Sequence, residues 1–170
     1  MPDTAATFDA LLTALNPAVV IVTASAAGER SGCLVSFHSQ TSMAPLRYCV
    51  WMSRSNHTWP IARRATHLGV HVIGAQNHAL TRLFATTSGD STDKFSRCAW
   101  HAGPGDAPLL DGADGWFVGT PCAWLDVQGD HVGVVLVPVA AAVTDNAARP
   151  ARYTDVRHLP PGHAPAEPPR

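Results

Sequence analysis

The sequence lacks the features that mark several large classes of protein. It has no strong charge imbalance, since 12 Lys and Arg residues are balanced by 13 Asp and Glu, and this argues against nucleic acid or an anionic membrane as a partner. The longest apolar run, residues 132–143, is too short to span a bilayer and contains Pro138. No basic start followed by an apolar segment marks a signal peptide. We therefore expect a cytoplasmic protein with no nucleic acid and no membrane partner.

The sequence also lacks the common cysteine motifs and nucleotide-binding motifs. The four cysteines include no Cys-x-x-Cys pair, which favours reduced thiols over disulfides or a zinc site. His67 and His71 are four residues apart but flank a strand pattern, so the two-histidine helical zinc motif does not apply. The sequence has no Gly-x-Gly-x-x-Gly fingerprint, no phosphate-loop lysine and no Gly-x-Ser-x-Gly elbow. A nucleotide would therefore bind by a route other than a Rossmann fold, and a serine hydrolase of the elbow type is disfavoured.

Short β patterns dominate what is present. The chain has 170 residues, 46% of them hydrophobic, which is enough for one domain with a core. The predicted strands are residues 18–25, 32–39, 47–53, 68–73, 116–127 and 132–143. The predicted helices follow the N-cap candidates Asp3, Asn56 or Thr58, and Asn77. Because strands outnumber helices and the connections are short, we expect a mostly β, antiparallel fold with a few short helices.

Two segments show little periodicity. Residues 86–115 are rich in Gly, Asp, Ser, Thr and Pro and predict a long ordered loop or lid, a feature that is more often functional than accidental. The composition changes after about Asn146, and the tail holds six of the prolines, which predicts an extended arm or disorder. We therefore divide the chain into a domain of residues 1–146 and a Pro-rich tail of residues 147–170.

Residues 32–58 are the most informative stretch. An apolar run breaks into alternating hydroxyl and apolar side chains, Pro45 leads into a second apolar run, and a polar loop precedes a short helical pattern. This layout places small donors and a helix N-terminus around a pocket, which suits a ligand with a flat polar ring and a phosphate. An ordinary hairpin with a Ser-rich exposed face is the alternative interpretation.

The order of motifs resembles the flavin reductase-like family, the FMN-binding split barrels that include the small reductase components of two-component flavin monooxygenases. The matching residues are, in order, Gly32, Ser36-Phe37, Ser39 to Ser42, Pro45, Ser53 to Thr58, Gly89-Asp90, Asp93-Lys94-Phe95, Trp100 and Gly129-Asp130-His131. The resemblance runs from about Phe8 to about Val143. Departures from the commoner family pattern at Cys33, Gln40 and Ala44-Pro45 leave the choice between FMN and FAD open.

The resemblance implies a split β-barrel and a homodimer. It also implies an NAD(P)H-dependent flavin reductase that binds FMN, with FAD as an alternative, uses NADH or NADPH, and can serve a flavin-dependent monooxygenase. Hydride transfer from nicotinamide to flavin N5 needs no matched acid or base from the protein. Two alternatives stay open: a flavin carrier or electron-transfer partner without reductase turnover, and a flavin-dependent oxidase or oxygenase on the same fold.

The loop before the second helix is the candidate phosphate site. Ser53, Asn56 and Thr58 bring side-chain oxygens and free backbone N–H groups to a helix start, and Arg54 or Arg63 could add charge-assisted bonds. A plain N-cap is the alternative.

The resemblance assigns the remaining site residues. The candidates along the flavin ring and ribityl chain are Val35, Ser36, Phe37, Ser39, Gln40, Thr41 and Ser42. By resemblance Lys94 faces the flavin and Phe95 packs beneath it, although a lone loop lysine is usually solvated. The Gly-Asp-His triplet would lie over the exposed flavin face, with His131 as the catalytic candidate that helps to hold the nicotinamide; a surface hairpin turn is the alternative.

Overall fold

The fold is built around a run of β-branched residues that forms strand β1 (Val20–Ala26). The computed structural model describes residues 3–145 and 148–164. Successive side chains of a strand point to opposite faces of a sheet, and in β1 both faces are buried. Val20 and Val22 belong to the largest core cluster, whereas Ile21 belongs to a second cluster on the opposite side. The sheet must therefore be covered on both sides along this strand.

Seven strands form one antiparallel sheet in the order β2-β1-β5-β8-β9-β4-β3, and β6 pairs with β7 in a separate small sheet. The further strands are β2 (Glu29–Val35), β3 (His38–Met43), β4 (Leu46–Ser53), β5 (Leu68–Val72), β6 (Trp100–Ala102), β7 (Pro108–Leu110), β8 (Gly115–Asp126) and β9 (His131–Val143). Strands β2 and β3 are the two edges, so the sheet is not closed, as in a split barrel. The predicted mostly β, antiparallel class is confirmed.

Among the described residues, four α-helices accompany the sheet: α1 (Thr4–Leu15), α2 (Thr58–Ala62), α3 (His78–Thr86) and α4 (Tyr153–Val156). The predicted caps of α1 and α3 are confirmed, because Asp3 accepts the Ala5 N–H at 3.0 Å and Asn77 accepts the Leu80 N–H at 3.2 Å. Within the part of the chain that the structure describes, no helix is long and apolar enough to cross a membrane.

The segment expected to be a loop, residues 86–115, contains the β6–β7 hairpin, so the loop prediction is wrong for part of it. Two buried polar groups fix this hairpin to the sheet: Thr23 Oγ1 donates to the Pro108 carbonyl at 2.6 Å, and the Leu110 N–H donates to His71 Nε2 at 3.2 Å. Strands of three residues contain too few positions for an alternating pattern to be recognised.

His71 is fully buried between β1 and the hairpin. Because Nε2 accepts from Leu110, the ring proton is on Nδ1, which lies 3.0 Å from the Ile21 carbonyl and donates to it. Gly69 provides the space, since a Cβ there would lie 2.9 Å from His71 Cε1. Burial lowers the pKa of His71 to about 4, although the hydrogen bond to Ile21 acts in the opposite direction.

The chain after the last strand returns to the outer side of the sheet. The Ala151 N–H donates to Ile73 at 2.7 Å, and the Val19 N–H donates to Ala151 at 2.9 Å. Ala151 is buried, and Val156 of α4 packs in the same cluster as Val19. Residues 148–164 of the predicted tail are therefore packed against the domain, whereas residues 146–147 and 165–170 lie outside the described residues. The domain boundary at residue 146 stays a prediction.

The buried imidazole predicts a pH-dependent stability. The unfolded chain binds a proton at His71 below about pH 6.5, whereas the folded protein resists protonation until about pH 4. The contribution of neutral His71 to the free energy of unfolding is therefore complete above pH 6.5. It is lost as the pH falls from 6.5 to 4, by about 3 kcal/mol in total. Urea unfolding between pH 7.5 and 5.5 should show a decrease of about 1 kcal/mol that is absent in His71→Gln. His158→Gln, which changes an exposed histidine, should keep the decrease; an equal pH profile in wild type and His71→Gln would refute the assignment.

Candidate functional site

A pocket of about 230 Å³ opens between the end of β2, the loop before α2, the end of α3 and the chain that follows α4. Its polar lining includes Ser36, Asn56, His57, Ser88, Lys94 and Arg157. The pocket thus combines the central Ser-rich stretch, the predicted phosphate loop and the Lys-Phe motif with the C-terminal segment.

The pocket has a one-sided charge. Among the described residues that line it, none is Asp or Glu, whereas Lys94 and Arg157 are basic and His57 and His163 add two imidazoles. The whole chain is nearly neutral, so this separation is a local property. Such a lining favours an anionic ligand.

Lys94 is the most deeply placed of these cations, with only 5% of its surface exposed. Its Nζ donates to the Gly32 carbonyl at 2.7 Å and lies 5.4 Å from the centre of the Phe84 ring. No carboxylate in residues 3–145 or 148–164 forms an ion pair with it, and burial lowers its pKa. Phe95 is buried behind the pocket, 5.8 Å from Phe84 between ring centres. Lys94 is therefore not a solvated loop lysine.

The predicted phosphate ligands are only partly brought together. Asn56 lines the pocket, and its Oδ1 accepts the Thr58 N–H at 2.9 Å. Thr58 is fully buried, with Oγ1 sharing a hydrogen bond of 2.9 Å with Ser31 Oγ. Ser53 Oγ lies 3.0 Å from Ser55 Oγ and is outside the lining. The hydroxyls of Ser53 and Thr58 are thus engaged with other side chains.

The predicted ring-site residues lie in three environments. Val35 is buried in the core, Ser36 lines the pocket, and Phe37 is 49% exposed. The other four candidates lie on the edge strand β3, outside the pocket lining: Ser39, Gln40, Thr41 and Ser42. The segment of alternating hydroxyl and apolar side chains is therefore largely an edge strand, and its contact with a ligand stays a prediction.

His131 is at the start of β9, opposite Ser53 of β4. Its Nδ1 lies 2.8 Å from Asp130 Oδ1, and its ring centre is 5.1 Å from that of Phe37. The preceding turn is held by Arg54, whose Nε donates to the Gly129 carbonyl at 3.1 Å. The Gly-Asp-His triplet and Phe37 thus form one surface, which is separate from the lining of the pocket.

A histidine–aspartate pair at the pocket was not predicted as a site. His57 Nδ1 lies 2.6 Å from Asp90 Oδ1, and Ser88 Oγ donates to Asp90 Oδ2 at 2.8 Å. Both partners belong to motifs of the family order, the phosphate loop and Gly89-Asp90. Their separation of 33 positions leaves no local signal that they meet.

The C-terminal segment, residues 159–164, forms one wall of the pocket. Ser55 Oγ donates to the Ala164 carbonyl at 2.9 Å and lies 3.0 Å from His163 Nδ1. The Gly162 N–H donates to the Ala85 carbonyl at 3.2 Å. A Cβ at Gly162 would lie 2.9 Å from the Thr87 carbonyl carbon, so the backbones touch closely here.

The open, mostly antiparallel sheet is consistent with the split-barrel fold of flavin reductases. Residues 12–161 match the flavin reductase like domain, and the chain belongs to this family. The predicted resemblance is confirmed.

Individual relatives agree with this assignment. A flavin reductase from Pseudomonas putida is 29% identical over 110 residues, which cover 64% of this chain and 61% of that protein, so less than two thirds of the relative is spanned. A flavin reductase domain protein from Arthrobacter sp. FB24 has a TM-score of 0.75 at 28% identity, covering 86% of this chain and 88% of that one. The flavin reductase HpaC, complexed with NADP+, shares the fold with a TM-score of 0.77 at 20% identity, covering 88% and 93% of the two chains.

The burial of Lys94 predicts that its charge contributes little to the stability of the folded protein. In Lys94→Met the side chain keeps its length and its contact with Phe84 but loses its charge. Loss of one hydrogen bond is then offset by removal of a desolvated cation, so the free energy of unfolding should fall by no more than about 1 kcal/mol. Lys94→Ala, which also leaves a cavity, should lose about 2 kcal/mol or more. Chemical denaturation measures both, and a large loss in the Met variant would identify Lys94 as a structural residue instead.

Proposed function

We propose that this protein is an NAD(P)H-dependent flavin reductase that binds FMN in the cationic pocket. The observation that carries the proposal is the pocket's charge: a buried lysine without a described carboxylate partner and a lining free of Asp and Glu, within a flavin reductase-like domain. A site built in this way favours a phosphorylated ligand.

The residues of the chain act by placement and electrostatics. Lys94, Asn56 and Ser36 would hold the flavin at the pocket, and Phe95 stabilises the wall behind Lys94. Bound flavin supplies an acceptor for the hydride of the nicotinamide at its N5. His131, on the surface shared with Phe37, would hold the nicotinamide beside it, and this requires position and distance instead of proton transfer.

We favour FMN over FAD because FAD carries an additional adenylate, which would have to extend beyond a pocket of about 230 Å³. We propose NADH or NADPH as the donor without a preference.

A homodimer is proposed from the exposed apolar side chains. Phe8, Leu11 and Leu15 of α1 are 60%, 59% and 74% exposed, and Met43 at the end of β3 is 82% exposed. Apolar patches of this kind commonly mark contact with another protein. We further propose that the protein works in the cytoplasm and delivers reduced flavin to a flavin-dependent monooxygenase.

The reductase assignment predicts rapid flavin reduction. Protein reconstituted with FMN should lose the absorbance of oxidised flavin within seconds after anaerobic mixing with NADH or NADPH in a stopped-flow instrument. In His131→Ala the KM for the nicotinamide should rise by about tenfold, the equivalent of one lost polar contact, with little change in the Kd for FMN. His101→Ala is the matched control on the β6–β7 hairpin. Bound FMN that stays oxidised with both donors would refute the proposal, and unchanged kinetics in His131→Ala would remove that residue from the site.

A flavin-binding protein without reductase turnover is the second candidate. The observation that favours it is the C-terminal segment, because His163 and Ala164 contact Ser55 of the candidate phosphate loop, and Gly162 and His163 line one side of the pocket. A segment in this position can restrict access to a bound flavin.

Removal of this segment distinguishes the two candidates. If residues 160–164 bar the nicotinamide, a variant that ends at Leu159 should be reduced by NAD(P)H at least about tenfold faster than wild type. Gly162→Ala, which introduces a clash with the backbone of Thr87, should act in the same direction with the chain length unchanged. Stopped-flow rates test both variants, and fast reduction of wild type with no gain on truncation would exclude the second candidate.

A further inference from the structure

We propose that His57, oriented by Asp90, contacts the phosphate group of the flavin and makes the site select FMN over riboflavin. The inference rests on the proposed function and assigns a binding role to a pair of residues outside the predicted site.

The first argument is the fixed orientation of the imidazole. Asp90 uses Oδ1 to bind His57 Nδ1 at 2.6 Å and Oδ2 to accept from Ser88 Oγ at 2.8 Å. The Asp90 N–H in turn donates to Ser88 Oγ at 3.1 Å, so the carboxylate is held from two sides. His57 lines the pocket and Asp90 does not. With Nδ1 tied to Asp90, Nε2 is the ring nitrogen left for a ligand.

Packing restricts the same ring further. A Cβ at Gly89 would overlap with His57 Cδ2, which shows how closely the imidazole approaches the backbone. The side chain of His57 is nevertheless 30% exposed. A side chain that is positioned in advance and still accessible loses little conformational entropy when a ligand binds.

The third argument is that other polar groups near the pocket already have hydrogen-bond partners within the protein. Thr58 Oγ1 is buried against Ser31, and Lys94 Nζ already donates to the Gly32 carbonyl. Arg157 Nη1 donates to Thr13 Oγ1 at 2.8 Å. Within residues 3–145 and 148–164, no hydrogen bond engages His57 Nε2 or the side-chain amide nitrogen Nδ2 of its neighbour Asn56. These two adjacent groups can therefore contact a ligand at the pocket, in addition to the remaining N–H groups of Lys94 and Arg157.

The charges around His57 favour an anion at Nε2. The two carboxylates that interact with it are already paired, Asp90 with His57 and Ser88, and Glu29 with Arg64. When Nδ1–H donates to Asp90, the imidazolium form of the ring presents Nε2–H as a second donor. A charge-assisted hydrogen bond from this group to a phosphate oxygen is stronger than one between neutral partners.

The experiment compares two flavins that differ only in the phosphate. Dissociation constants for FMN and riboflavin are measured by flavin fluorescence for wild type, His57→Gln and Asp90→Asn. In His57→Gln we expect FMN affinity to fall by about tenfold or more, the usual effect of one charge-assisted bond, while riboflavin affinity stays nearly constant. Asp90→Asn should produce a smaller loss with the same selectivity. His101 and Asp111 form a pair with the same 2.6 Å separation away from this pocket, so His101→Gln should change neither constant.

A second readout reports on the ring itself. In the wild-type protein with ¹⁵N-labelled histidine, FMN should shift the His57 imidazole resonances, and riboflavin should leave them nearly unchanged. An equal loss of affinity for FMN and riboflavin in His57→Gln would overturn this inference alone. Unchanged FMN affinity in His57→Gln together with no resonance shift in the wild-type protein would do the same. Wild-type protein that binds neither flavin would overturn both the inference and the proposed function.

Discussion

The double-sided burial of β1 is the constraint on which the rest of the structure depends. Its inner side chains fill the barrel, and its outer side chain Ile21 requires a second cover. That cover comes from the β6–β7 hairpin, α3 and the returning chain near Ala151. Backbone groups in such a layer need partners, and His71 and Thr23 supply two of them by bonding the hairpin to the sheet. Phe84 and Phe95, which complete the outer cluster, are also the residues that place Lys94 beside Gly32.

The pocket follows from this cover, and its charge opposes the stability of the fold. A buried cation without a counterion is unfavourable because desolvation is not repaid by an ion pair. Lys94 is in that position: its Nζ donates to the Gly32 carbonyl and lies near the Phe84 ring, and no carboxylate among the described residues forms an ion pair with it. An unfavourable arrangement of this kind is commonly kept where it serves a function. A cation held away from water interacts more strongly with an anionic ligand than a solvated one does, so the same desolvation that destabilises the free protein strengthens binding.

Local patterns predicted much of the fold. The β-branched run of β1 and the caps at Asp3 and Asn77 rest on neighbours in sequence, and these predictions are confirmed. The family and its split barrel followed from the order of several weak motifs instead of from any single one.

Predictions that depend on distant partners were less successful. The burial of Thr58 follows from Ser31, 27 positions earlier, and a capping pattern carries no information about that contact. The β6–β7 hairpin depends on His71 and Thr23, which lie on other strands. His57 was visible only as part of a motif, because its role depends on Asp90. Side-chain partners across the fold, more than secondary structure, limit what sequence patterns can predict about the site.

The chain from α4 onwards is firmly packed at its start and, in the described part, makes few contacts after Leu159. Val156 packs into a buried cluster with Val19 and Ala151, with Leu159 partly buried against it. Beyond Leu159, Gly162 is hydrogen-bonded to Ala85, and His163 and Ala164 are hydrogen-bonded to Ser55. A segment with few buried apolar contacts opens at a small free-energy cost compared with global unfolding. The wall of the pocket that is easiest to open is thus the one attached to Ser55 in the loop before α2.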